Sequence, residues 1–292
     1  RGIYKYIISN DTDIEATDTN SVQRFLQQGV QIGNMDEVNT SAESFVLWQW
    51  VGNGTGTLNE DGTVNSTVSA NTATGFSIAT HTTPSSGTAN YTIGTGCSGT
   101  PKFIIAKRTD STSSWYVSHP SLTDQTGYYL LLHLNNAVAN SAGVWGAGPS
   151  TGVIGFKAQG LFVNSAQVVT YSWEEIEGYS KFGSYTGNGN ADGTFIYLGF
   201  KPAFLMVKRT DTTSDWEMRD FVRDPYNDMT HNLRANEPDV ESPTADAIDF
   251  TSNGFKIRNT ASSWNTDTGT YIYMAWAENP FGGSGVAQAK AR

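Results

Sequence analysis

The chain has 292 residues, 38% apolar, 12% aromatic and only 16% charged, enough to bury two cores, and its load of Gly, Ser, Thr and Asn is that of an all-β protein with tight turns. A formal charge of −10 argues against a nucleic-acid partner, which needs a basic surface to release counterions, and against docking on an anionic membrane. The single cysteine, Cys97, excludes an intrachain disulfide and reads as a packed thiol, and no apolar run approaches the roughly 18 residues of a membrane span.

The chain opens RGIYKY, with no methionine, signal h-region or cleavage site, as expected of a processed product or the ordered part of something longer. Residues 1–52 read as a partial module, the second half of a repeat. With one gap, 5–25 matches 231–250, so that Asn10, Asp13 and Glu15 fall on Asn236, Asp239 and Glu241. Val22, Phe25 and Leu26 have helical spacing after Asn20 and Ser21, and a short helix and a strand are both open there. Gly29-Val30-Gln31-Ile32 parallels Gly155-Phe156-Lys157 and Gly254-Phe255-Lys256-Ile257. Each is followed by an alternating strand that ends in Trp: Trp48, Trp173 and Trp276.

Residues 53–73 form a polar connector with a small hairpin about Asp61-Gly62. A complete module is expected over 74–178, with strands GFSIAT, ANYTIG, KFIIAKR, SWYVSH, YYLLLHL, VIGFKA and VVTYSW. Its centre is Pro101 to Trp115, PKFIIAKRTDSTSSW, which returns as PAFLMVKRTDTTSDW at Pro202 to Trp216. Nine of fifteen positions are identical, at a constant offset of 101. An apolar run, a Thr/Asp/Ser turn and a returning Trp segment spell a hairpin. The second complete module covers 179–280 and opens with SKFGSYTGNGNADGTFIYLGF, read as a hairpin with its turn at Gly187 to Gly193. Residues 281–292 form a tail with little to bury. The fold expected is all-β: tandem, jelly-roll-like β-sandwich modules of about 100 residues in series, beginning with a partial one.

Candidate chemistry is sparse. In Lys107–Asp110 and Lys208–Asp211 the basic pair closes a strand and the Asp is placed to cap the turn through Asx hydrogen bonds. An element built twice suits folding better than catalysis. Glu174, Glu175, Glu177 and Glu278 follow strand-end Trp residues and read as solvated acids, not as the close pair a glycosidase needs. His81, His119, His133 and His231 lack metal spacing, no G-x-S-x-G elbow is present, and Asn188, Asn190 and Asp192 open a calcium-like loop whose twelfth position is Gly199. Trp48, Trp115, Trp173, Trp216 and Trp276, with Trp50 grouped beside them, are expected in the core. Trp145 (GVWGAG) and Trp264 (SSWNTD) lie in small-residue loops and are the candidates for stacking on a glycan or receptor, set against folding back onto their own module. No catalytic residue, metal or cofactor is expected.

The segments EGYSKFGSYTGNGNADGTFIYLGFKPAFLMVKRTD, SNGFKIR and GTYIYMAWAENPFGGSGVA resemble a repeat family found near the carboxyl ends of tail-fibre and other tail proteins of tailed bacteriophages, often marine. The resemblance covers nearly the whole chain. It implies a virion surface component, a homotrimer bound to other tail proteins, engaged with a host-surface polysaccharide or receptor. A secreted carbohydrate-binding or carbohydrate-degrading protein and a capsid-surface or filament subunit stay open as alternatives.

Overall fold

The computed structural model describes residues 2–278, apart from 27, 28, 142, 160 and 161; the tail at 281–292 lies outside the described residues. The chain is all-β, built of β-sandwich modules. No helix among the described residues is long and apolar enough to cross a membrane.

The N-terminal lobe is lightly structured. β1 (Lys5–Tyr6) pairs with β2 (Ala16–Thr17), β3 (Val22–Leu26) with β4 (Gly29–Ile32), and one helical turn, α1, covers Asp36–Asn39. Val22 to Leu26 is therefore a strand. A five-residue helix is too short to repay its nucleation, whereas β4 offers a partner directly after the turn. Residues 44–51, the alternating run that ends at Trp50, form no ladder.

The first complete module contains β5 (Thr57–Asn59), β6 (Ser66–Asn71), β7 (Phe76–Thr82), β8 (Asn90–Gly94), β9 (Phe103–Arg108), β10 (Trp115–Ser118), β11 (Tyr128–Leu131), β12 (Ala139–Asn140), β13 (Pro149–Ser150), β14 (Val153–Lys157) and β15 (Gln167–Trp173). Eight of these form an antiparallel sheet in the order β12-β11-β10-β9-β15-β7-β6-β5, and β13-β14-β8 cover one face of it. The expected hairpin about Asp61-Gly62 is the β5–β6 connection. Alternation along β9 sends Ile104 and Ala106 to this covered face. There they meet Val68, Ala79 and Val168 beneath Tyr91, Ile93, Ile154 and Phe156.

The second module comprises β16 (Ser180–Thr186), β17 (Phe195–Tyr197), β18 (Phe204–Arg209), β19 (Trp216–Asp220), β20 (Met229–Arg234), β21 (Ser242–Thr251), β22 (Gly254–Ile257) and β23 (Thr270–Trp276). They form one sheet, β16-β23-β18-β19-β20-β21-β22-β17, folded so that Phe255 packs on Tyr185 and Tyr273. The hairpin expected at Gly187 to Gly193 is not one. β16 pairs with β23 and β17 with β22, at opposite ends of the sheet, so the connection arches between layers. Fully buried Asn265 takes the place of hairpin pairing: its Oδ1 accepts the Asn188 N–H (2.9 Å) and its Nδ2 donates to the Asn190 carbonyl (2.7 Å).

The modules are not beads in series. The face of each large sheet opposite its sandwich core carries Phe103, Ile105 and Trp173 in one module and Phe182, Phe204 and Trp276 in the other, and these join a single apolar cluster. Trp50 of the N-terminal lobe completes it. Trp50, Trp173 and Trp276 touch pairwise, edge to face, at centroid distances of 5.9, 5.3 and 5.7 Å. Trp50, rather than Trp48, is thus the counterpart of Trp173 and Trp276. Three lobes meet around this cluster.

Candidate functional site

The twice-written Lys-Arg-Thr-Asp-x4-Trp motif builds the most developed polar constellation in the molecule. Strand alternation places Lys107 on the same face of β9 as Phe103 and Ile105, and its side chain is fully buried. Lys107 Nζ donates to the Thr12 carbonyl (3.0 Å) and to its neighbour's, Arg108 (2.9 Å). Trp115 Nε1 donates to the Ile8 and Asp11 carbonyls (3.1 and 2.9 Å). The Ser113 N–H donates to the Thr12 carbonyl (2.9 Å), and the Glu15 N–H to the Thr109 carbonyl (3.0 Å). The motif grips the segment 8–15 of the N-terminal lobe.

The second copy repeats this pattern, with one Trp bond in place of two. Lys208 Nζ donates to the Asn135 carbonyl (3.2 Å) and to that of Arg209 (2.8 Å), and Trp216 Nε1 to the Leu131 carbonyl (3.0 Å). The Ser214 N–H reaches the Asn135 carbonyl (2.8 Å) and the Val138 N–H the Thr210 carbonyl (3.0 Å). Donor residues on the motif differ by 101 in number and residues of the gripped segment by 123. Each module therefore clamps the lobe before it. A cation placed among carbonyl oxygens is a strong, charge-assisted donor. Burial pulls the Lys208 ammonium down to about 8, and that of Lys107 is lowered for the same reason.

The aspartate of the motif does not make the expected Asx cap. Asp110 takes the Arg108 guanidinium (2.6 Å) and Asp211 that of Arg209 (2.8 Å), because the preceding Arg folds back over the turn. The Arg209 hydrogen bond holds the Asp211 carboxyl below its ordinary range.

Trp145 and Trp264, the stacking candidates, are both fully buried, so neither offers a ring face to a ligand. The small residues around Trp145 are there for close packing: a Cβ on Gly146, at φ +55°, would sit 2.4 Å from the Phe156 carbonyl oxygen. That approach presses the indole onto Phe156 and Phe162. Trp264 lies under the Arg219 guanidinium, 5.3 Å away. Small-residue loops here mean tight packing, not display.

Glu175, Glu177 and Glu278 are exposed as expected, but Glu174 is buried. It accepts the Gly99 N–H (2.6 Å), and burial pushes its carboxyl up. Cys97 is buried and its thiol is pushed up to about 12, first by burial and then by Glu174. The calcium-like loop gives Asp192 to Lys256 (2.8 Å). No group of three His, Cys, Asp or Glu placed to hold a metal occurs among the described residues. A shallow polar groove of about 190 Å³ is lined by Leu58, Asn65, Thr67, Thr80, Thr82 and Gln167, with Ser66 and His81 completing it; no carboxylate lines it.

Sequence reasoning missed Glu217 and Arg219, both buried inside the second sandwich, where the first module has Tyr116 and Ser118. Arg219 Nη2 donates to the Thr244 hydroxyl and the Asp246 carbonyl, each at 3.2 Å, and Glu217 accepts from the Asn232 amide. The visible signal was charge at two alternate positions of an otherwise strand-like run.

Residues 1–280 match DUF7483, a domain of unknown function, and the chain belongs to that family. No match is found among curated proteins or among solved structures.

Proposed function

We propose that this DUF7483 protein is a structural, non-enzymatic part of a bacteriophage virion, a tail fibre or tail-associated protein that adheres to host-surface glycans. The observation that supports it most is the repeated clamp. The sharpest motif in the sequence spends its Lys and Trp on gripping a neighbouring lobe, which serves rigidity rather than turnover. The resemblance to tail-protein repeats gives that rigidity a setting. In this reading the chain assembles as a homotrimer with other tail proteins, and weak glycan contacts repeated on a stiff particle gain avidity through high effective concentration. With Trp145 and Trp264 buried, glycan contact falls to polar surface such as the groove at Thr67, Thr80 and Gln167, whose hydroxyl and amide groups suit sugar hydroxyls.

Immunogold electron microscopy of phage particles with antibody to the purified chain tests the virion placement. Label on the tail is expected. Particles free of label, with the antigen secreted or cell-bound, would overturn it.

A further inference from the structure

The clamp is built twice, yet three lobes meet at the tryptophan cluster. Within each complete module a further pair of equivalent bonds fixes the register. The Leu132 N–H donates to the Trp115 carbonyl (3.1 Å) and the Ala235 N–H to that of Trp216 (3.2 Å), an offset of 103. The same offset carries Leu131, Asn135 and Val138, which the second clamp grips, to Arg234, Pro238 and Glu241. Glu15 and Val138 are half-buried under their clamps, whereas the equivalent Glu241 is exposed, and Val240 is 86% exposed against 51% for its gripped equivalent Ile14.

The N-terminal lobe shows the matching gap. The offset of 123 places Phe45 and Leu47 at the positions of Val168 and Thr170, which face the first sandwich core, and a further 103 brings them to Tyr271 and Tyr273. Those four are between 0% and 4% exposed, whereas Phe45 is 52% and Leu47 59% exposed. The reason lies in strand neighbours. β15 runs between β7 and β9, and β23 between β16 and β18. Those flanking strands belong to the amino half of each module, and the N-terminal lobe has no counterpart to them among the described residues.

We propose that this open sector is a docking site for a third amino half of the same repeat: strands flanking residues 44–51, joined by a Lys-Arg-Thr-Asp-x4-Trp hairpin that grips Arg234 to Glu241. The occupant follows from continuity with the two occupied interfaces. Its Lys donates to the Pro238 carbonyl, its Trp to the Arg234 carbonyl, and the Glu241 N–H donates to the carbonyl of its Thr. Its apolar strands cover Phe45 and Leu47, and the ring of lobes closes, because the second module already touches the N-terminal lobe. Ser9 Oγ donates to the Ala235 carbonyl (2.7 Å) and Trp48 Nε1 to Asp220 (3.2 Å).

The test joins a copy of residues 74–123 directly ahead of residue 1, which the offset of 123 puts in register. Backbone amide exchange in 44–51 and at Glu241 is expected to slow at least 100-fold with no change in the protein's oligomeric state. Lys107→Ala with Trp115→Ala, made in the added copy only, should return at least tenfold of that protection. Exchange at the rate of the unextended chain would overturn the proposal. So would protection of the same residues in the unextended chain through self-association, which would make a second copy the occupant. Should the extended chain fail to fold, a synthetic peptide of residues 101–118 added to the unextended chain decides. Saturable protection of Glu241 is expected, and none at 100-fold excess of peptide refutes the docking.

Discussion

Trp50 and Trp276 meet edge to face with ring centroids 5.3 Å apart, although 226 residues separate them in the chain. Trp173 touches both, so the three lobes are held at one point by the same residue of each repeat. Among the described residues, half-buried Trp50, with Trp48 and Ile7, is the outer lobe's share in this cluster. Trp50→Ala should therefore cost about 2 kcal/mol and free residues 5–50 to exchange faster while both complete modules stay folded. Trp276→Ala, at a fully packed site, should cost about 4 kcal/mol and lower the stability of the whole molecule. Urea denaturation with amide exchange separates the two outcomes.

Lys107 and Lys208 are equivalent donors to carbonyls of the preceding lobe. Lys107→Met and Lys208→Met keep the stem and remove the charged donor, leaving the Thr12 and Asn135 carbonyls with the Ser113 and Ser214 N–H groups alone. Each is expected to lose about 2 kcal/mol in chemical denaturation, the range for hydrogen bonds from charged groups. A loss at one site only would show that the two clamps do different work.

Arg219 and Glu217 oppose each other's charge inside the second sandwich, and Arg219 still loses affinity for its proton to burial, falling to about 10. Arg219→Ala leaves Glu217 with Arg234 (3.5 Å) as its remaining cation and should cost about 3 kcal/mol; the double change Glu217→Gln with Arg219→Met should recover most of it. Thermal melts of the three proteins measure the loss and its recovery.

His119 gives the fold a pH dependence. Its Nε2 reaches the Tyr273 carbonyl of the other module (3.1 Å) and its Nδ1 accepts the Ser121 N–H (3.2 Å), so the neutral ring satisfies both partners. Burial lowers it to about 3, and His81 likewise to about 4. Because these values lie below the unfolded one of 6.5, the unfolded chain binds more protons between them. Stability is then fully present above about pH 6.5 and falls as the pH drops toward 3, by about 3 kcal/mol at pH 4 for His119 alone. The raised carboxyls of Glu174 and Glu217 act in the opposite direction. His119→Gln should flatten the fall between pH 6.5 and 4 in urea titrations.

The strands and the repeat were legible because strand alternation and a fifteen-residue identity are local patterns. Phe103, Lys107 and Trp115 could be paired with Phe204, Lys208 and Trp216 by number alone. The target of the clamp was not, since its acceptors are backbone carbonyls, which no residue type marks. The arch at Gly187 to Gly193 looked like a hairpin because turn chemistry is the same whether the chain returns to its own strand or crosses to the other layer. The decisive residue, Asn265, lies far away in sequence. For Trp145 display and folding back both stayed open in the sequence, since glycines that permit display also permit the closest packing.

The lobes share one core gripped by the repeated motif, and differential scanning calorimetry of the whole chain is the direct test. A shared core predicts a single transition whose calorimetric and van't Hoff enthalpies agree. Two resolved transitions, one for each complete module, would contradict it.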